Sequence, residues 1–250
     1  MKNRITKMLS LIMTAIILVG IMAISTSAAS SDDDYDLYVA GVQVTKNNCN
    51  DVLGDGGSVK YDGQILTLTN ADLTKSFNTD NNSSSCYYGM KINDAVKINL
   101  VGENKIDFSG FSLENTNIKT VNGIYMPSDD QLEITGNGSL YISTADTVTD
   151  SRGIVKKGGT ISFNGVTVEI HTGNSRNTNG IDNENRSYTG IVNVTNGADL
   201  KIFTGNIEAE NNSSVLLCGI RCDTFIAAEN STVLIENGDI IAASDAKNTY

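Results

Sequence analysis

Tryptophan is absent from this sequence, proline and histidine occur once each, and eighteen basic residues face twenty-nine acidic ones for a formal net charge of −11. Each scarcity excludes something. Without tryptophan the case for an aromatic platform that stacks on a sugar ring is weaker. With only His171, a histidine-rich metal centre is ruled out, and any Ser/His/Asp or Cys/His catalysis would have to pass through that one residue, near which no nucleophile elbow occurs. The deficit of positive charge makes nucleic acid and anionic membranes poor partners and suits divalent cations or neutral and cation-bridged polymers. The single proline, Pro127, stands among turns of Gly, Asn and Asp with no 3.6-residue periodicity, which argues against helical and α/β folds.

What is present starts with Lys2, Arg4 and Lys7, an apolar run from Met8 to Ile24, and small residues from Ser25 to Ala29. This predicts a signal peptide over residues 1–28, then an acidic linker over 29–36 containing Asp32, Asp33, Asp34 and Asp36. The competing reading, an uncleaved anchor, fits less well because the run is short for a span. No cysteine follows the run closely enough for a lipid anchor, and no later stretch could cross a bilayer, so no membrane contact is expected after cleavage. Cleavage removes three basic and no acidic residues, leaving a net charge of about −14 on a secreted chain. Of the four cysteines, Cys49 and Cys86 fall in polar stretches where a bridge would be useful. Cys218 and Cys222, four apart in a strand-like run, read as core residues pointing the same way. Zinc-type Cys-x2-Cys spacing is missing.

The organising signal is a repeat. Gly89-Met90, Gly123-Ile124, Gly153-Ile154, Gly180-Ile181 and Gly219-Ile220 recur at intervals of 34, 30, 27 and 39 residues. Two further alternating runs follow each opening, such as Leu132 to Gly136 and Leu140 to Thr144. Alternation sends Leu132, Ile134, Leu140, Ile142, Val168, Ile170, Leu200 and Ile202 to one side. The expectation is an all-β, single-stranded, right-handed parallel β-helix with three short strands per coil, over residues 37–250, in which 37–71 form the N-terminal cap and first coil. A β-sandwich also has short alternating strands, but it need not return to one opening dipeptide about every thirty residues.

The segments Leu37 to Thr45, Asp51 to Gly56, Ser58 to Asp62 and Leu66 to Ala71 read LYVAGVQVT, DVLGDG, SVKYD and LTLTNA. This cassette resembles the opening of secreted bacterial β-helix proteins often labelled carbohydrate-binding domain-containing. The likeness covers the first third of the mature chain. It implies an extracellular protein from a Gram-positive anaerobe that binds plant or cell-wall polysaccharide, and it carries over no particular binding residue.

A β-helix lyase needs carboxylates to hold calcium and an Arg or Lys as base; Asp150, Arg152, Lys156 and Lys157, with Asp129 and Asp130 one coil earlier, are the candidates, though a solvated charged turn explains them as well. A hydrolase needs two carboxyl groups about 5 to 10 Å apart. Asn78-Thr79-Asp80 and Asp129-Asp130 have that flavour, but the Gly-His-Gly and Arg-Ile-Lys segments of polygalacturonase-type enzymes are missing. Calcium could also lie between turn carboxylates drawn from Asp129, Asp130, Asp146, Asp150, Asp182 or Glu184. Binding points elsewhere. Aligning the third strands stacks the outward Asp107, Tyr141, Glu169, Lys201 and Leu234 in one column, and Ser109, Ser143, His171, Phe203 and Glu236 in the next. The carbohydrate-binding candidates are therefore Asp107, Tyr141, Glu169, His171 and Phe203. The leading expectation is a non-catalytic polysaccharide-binding module, against a structural or adhesive surface protein and a calcium-dependent lyase.

Overall fold

The computed structural model describes residues 34–75, 86–110, 119–147, 149–183, 189–209 and 215–242. All belong to the second of two compact units, Asp33–Tyr250. The expected signal peptide, the first part of the linker, and Asp80 and Glu184 lie outside the described residues.

Every regular element described is a strand. The chain opens with β1 (Asp34–Val39), β2 (Val42–Thr45), β3 (Val59–Tyr61), β4 (Ile65–Thr69) and β5 (Asp72–Leu73). Asp34, Tyr35 and Asp36, expected in a linker, are thus part of β1. Triplets then repeat: β6 (Cys86–Ile92), β7 (Val96–Val101) and β8 (Glu103–Asp107); β9 (Thr120–Met126), β10 (Leu132–Gly136) and β11 (Ser139–Ser143); β12 (Asp150–Lys156), β13 (Gly159–Asn164) and β14 (Thr167–His171). Next come β15 (Asn177–Asp182), β16 (Gly190–Thr195) and β17 (Asp199–Phe203), a short β18 (Ile207–Ala209), then β19 (Leu216–Arg221), β20 (Thr224–Ala227), β21 (Thr232–Glu236) and β22 (Ile240–Ala242).

Like strands of successive triplets pair in parallel. The first sheet runs β19-β15-β12-β9-β6-β1-β2, the second β20-β16-β13-β10-β7-β4-β3, and the third β21-β17-β14-β11-β8-β5, with β18 and β22 paired at a corner. This is a parallel β-solenoid with three strands per coil, as the repeat predicts. At the N-terminal end β2 lies antiparallel on β1, β1 on β6, and β3 on β4, so the stack is closed there by a change of strand direction.

Inward side chains form columns up the axis. On the second sheet Ile98, Ile134, Phe163 and Val194 follow one another, and on the third Ile106, Ile142, Ile170 and Ile202, all with no exposed surface. Each such side chain contributes about 1.5 to 3 kcal/mol of burial free energy. The turn from the second sheet to the third needs a left-handed residue, supplied by Gly102 and Gly165 (φ 68° and 66°) or by Asn70 and Asn196 (48° and 55°), residue types that tolerate this region.

The first sheet departs from simple alternation. Val121, Gly123, Ile124 and Met126 all face the core, so the phase shifts by one at each Gly-Ile step. The shift overturns the expectation for Cys218 and Cys222: Cys218 pairs with the outward Asn179, while Cys222, beyond Gly219-Ile220, packs against the core. Cys86 begins β6 rather than lying in a loop, and none of the four cysteines is joined in a disulfide.

Candidate functional site

The outward face of the third sheet gathers four of the five predicted binding residues as expected. Tyr141 pairs with Glu169 and Glu169 with Lys201, while Ser143 pairs with His171 and His171 with Phe203. Asp107 is displaced. It pairs with Ser143, and Lys105 takes the place opposite Tyr141. The two columns are therefore Lys105, Tyr141, Glu169, Lys201, Leu234 and Asp107, Ser143, His171, Phe203, Glu236.

The cause is Asn104. It occupies an inward position, opposite Leu140, where the repeat elsewhere has an aliphatic residue, and it is almost wholly buried. Its Oδ1 accepts the backbone N–H of Ala71 at 2.9 Å, and its Nδ2 donates toward the carbonyls of Val101, Gly102 and Ser139. An alignment that seeks apolar residues inside skips it and slips by two.

The rings of Tyr141, His171 and Phe203 form a stack along the axis. The centroid of His171 lies 4.6 Å from that of Phe203 at an interplanar angle of 18°, and 5.2 Å from that of Tyr141 at 40°. Both faces of the imidazole are therefore covered by neighbouring rings. Nε2 of His171 donates to Oε1 of Glu169 at 2.7 Å, each side chain being more than a third exposed. Lys201 meets Asp199 at 3.3 Å and Lys105 meets Asp72 at 3.1 Å, so charges beside the stripe are paired within the sheet. At one end of the second column Asp107, Ser109, Gly110 and Thr74 line an open depression of about 350 Å³. One oxygen of Asp107 accepts from the Ser109 backbone N–H (3.0 Å) and hydroxyl (2.6 Å).

Two of the lyase candidates, Arg152 and Lys156, are engaged within the fold. Arg152 donates to Asp150 at 2.6 Å, and Asp150 also accepts from Thr120 and Asn177. Lys156 is buried, 1% exposed, in the inward column after Met126, and its ammonium donates to the carbonyls of Ser128 and Gly158. Burial pushes it down to about 8, against the pull of Asp129 and Asp130. It closes a corner from inside rather than pointing at solvent.

Among the described residues no three or more His, Cys, Asp and Glu side chains are arranged to hold a metal ion. Asp146 accepts from Asn174, and Asp182 from both Nε and a terminal nitrogen of Arg221. Three of the six turn carboxylates named as calcium ligands, Asp146, Asp150 and Asp182, thus already accept hydrogen bonds from N–H donors.

Sequence reasoning missed a corner ladder. Asp146 caps the backbone N–H of Asn174 (2.6 Å), Asn174 that of Asn206 (2.7 Å), and Asn206 that of Asp239 (2.8 Å). The signal is the recurring Thr144-Ala145-Asp146, Thr172-Gly173-Asn174, Thr204-Gly205-Asn206 and Asn237-Gly238-Asp239.

Fold and site together define a parallel β-solenoid that bears a ring-and-charge ladder on one face. No family model, curated protein or solved structure matches the chain.

Proposed function

We propose that this is an extracellular, non-catalytic module that binds polysaccharide along the outer face of its third sheet. The observation that carries the reading is the in-register ladder itself: side chains that form hydrogen bonds and apolar contacts repeat at one coil step, about 4.8 Å, along a straight axis. A linear polymer laid along the axis meets a new polar or aromatic side chain at each coil. Tyr141 and Phe203 at the ends of the stack offer apolar contact to sugar rings, Glu169 and Asp107 accept hydroxyl hydrogen bonds, and His171 ties the stripe to Glu169. The leader-like N-terminus and the opening cassette support export and a plant or cell-wall glycan.

The test is affinity electrophoresis in gels containing plant or bacterial polysaccharides, with and without calcium. Retention is expected on at least one polymer, and Tyr141→Ala with Phe203→Ala should weaken it at least about tenfold without lowering the melting temperature. No retention on any polymer overturns the reading. Ultraviolet absorbance growing with time, from unsaturated product, assigns a calcium-dependent lyase instead. A structural or adhesive role has its own support in the last coil, where Phe225, Ile226, Leu234, Ile235, Ile240 and Ile241 are all exposed.

A further inference from the structure

The two ends of the stack are finished differently. At the first, antiparallel β2 and β3 cross two sheets and the short β5 ends the third, and Val44, Val59 and Leu73 there have no exposed surface. At the other, β19, β20, β21 and β22 each pair on one side only among the described strands, and the core columns stop in the open. Val192, Ile202 and Ile207 are fully buried, whereas Phe225, Ile235 and Ile240, stacked on them in register, are 43%, 41% and 57% exposed. Thr232 donates its N–H back to Ala198 at 2.9 Å, so alternation along β21 turns the N–H groups of Val233 and Ile235 to the open side. Proteins that keep such an edge free blunt it with lysine, proline or a bulge. From Leu216 to Ala242 there is no lysine and no proline, and β20 and β21 stay in unbroken register.

We infer that this end is a self-association surface, on which two copies of the chain dock last coil to last coil about a twofold axis. The occupant must bring unpaired strand edges arranged around an apolar core, and the same end of a second copy brings both. The first end does not, because its apolar residues are covered. A twofold joint uses the open end of each copy, so association closes at two. Charge does not call for a different partner. The Asp223 carboxylate is turned back to accept the Gly190 N–H at 2.6 Å, Arg221 donates to Asp182 at 2.9 Å, and Glu236 stands in the outward column beyond Phe203. Area is sufficient. The six large apolar side chains of this coil that are 41 to 57% exposed present roughly 500 to 600 Å². Half-buried Ile220, Cys222 and Val233 and the strand edges bring one end close to the about 800 Å² per partner of a standard interface. Residues 243–250 read ASDAKNTY, with no branched aliphatic side chain to continue the columns. The surface lies apart from the third-sheet ladder and stands independently of the polysaccharide reading.

The test is sedimentation velocity on the chain without residues 1–28, whose apolar run would associate on its own account, over about 1 to 200 µM, with hydrogen exchange read in parallel. A reversible dimer is expected, with a dissociation constant of order 10 µM. Below that concentration the chain is single and its last coil free. Protection at 224–227, 232–236 and 240–242 should rise with concentration while that at 132–143 stays constant. Phe225→Lys with Ile240→Lys should weaken the dimer at least about tenfold and leave the main melting transition in place. Ile226→Lys, on the outer rim of the same coil, serves if the double variant frays it. Tyr141→Ala with Phe203→Ala should leave the dimer intact, so loss of polysaccharide retention and loss of association are read separately. A monomer across the whole range overturns the inference, as do a dimer that the lysine variants leave unchanged, protection that rises elsewhere than in the last coil, and species that keep growing beyond two. A monomer whose last coil becomes protected only on phosphatidylcholine vesicles assigns the end to a lipid surface instead.

Discussion

Ile170 and Ile235 hold the same position on the third strand of their coils, each lying over the glycine that opens its own coil, yet Ile170 is fully buried and Ile235 is 41% exposed. The difference is the neighbour above. Ile170 sits in a coil clamped on both sides, by β11 and by β17, whereas β21, which carries Ile235, pairs with β17 alone among the described strands. The opposite end of the stack is treated differently again: antiparallel β2 and β3 cover it, and Val44 and Val59 have no exposed surface. In a solenoid stability is close to a sum over neighbouring coils, so a fault in the middle severs the stack while a fault at the last coil only frays it.

The glycines test this most severely. A methyl group on Gly153 would lie 2.3 Å from Cγ2 of Ile170 and 2.5 Å from the carbonyl oxygen of Gly180, so both a core side chain and the backbone of the next coil would have to move. On Gly219 its three nearest neighbours would all be atoms of the Ile235 side chain, the first at 2.2 Å, and that side chain is 41% exposed and can turn toward solvent. Gly153→Ala should therefore cost about 4 kcal/mol in urea denaturation, and Gly219→Ala about 1 kcal/mol or less. Equal losses would show that the last coil is as tightly held as the middle.

Lys156 gives the next largest effect. It stands in the inward column where Met126 stands one coil earlier. The folded chain holds its ammonium down near 8, while in the unfolded chain the group titrates at about 10.4. Between those values the unfolded chain carries a proton that the folded chain has released, so this group's contribution to stability rises with pH across that window, by on the order of 2 to 3 kcal/mol. Tyr61 acts the other way above about 10, since burial pushes its phenol up to about 12 and the unfolded chain ionises first. Cys222, whose thiol burial also raises, opposes the rise as well. The difference between the parent and Lys156→Met at each pH isolates the lysine: it should grow from pH 8 to 10, and a constant difference would mean the ammonium is not buried.

Much of the fold was legible because the core imposes it residue by residue. The Gly-Ile openings mark where a first-sheet strand must let Ile142, Ile170 or Ile202 approach its backbone, and aliphatic alternation marks the other two sheets. What escaped were polar residues in apolar positions. Asn104 hid the register of β8 and so misplaced Asp107. Lys156 read as a solvated turn because its long stem can occupy a methionine site while its head finds carbonyls. The phase shift at Gly219-Ile220, invisible to strict alternation, put Cys218 and Cys222 on opposite sides.

The smallest effect lies in the corner ladder, where interior and end can be compared by one chemistry. Asn174→Ala removes the acceptor for the Asn206 backbone N–H, and Asn206→Ala removes that for Asp239. Both acceptors are exposed, so water replaces much of what is lost, and the net worth of such a bond is about 1 kcal/mol. Asn206, however, is followed on the axis by β21 and β22 of the last coil, whereas Asn174 is followed by a coil that must itself carry another. Asn174→Ala should lower the urea midpoint by an amount equivalent to about 1 kcal/mol, and Asn206→Ala by half that or less while speeding hydrogen exchange at Asp239 and Ile240. If Asn206→Ala costs as much as Asn174→Ala, the ladder is one cooperative unit, and the contrast between middle and last coil stops at the core.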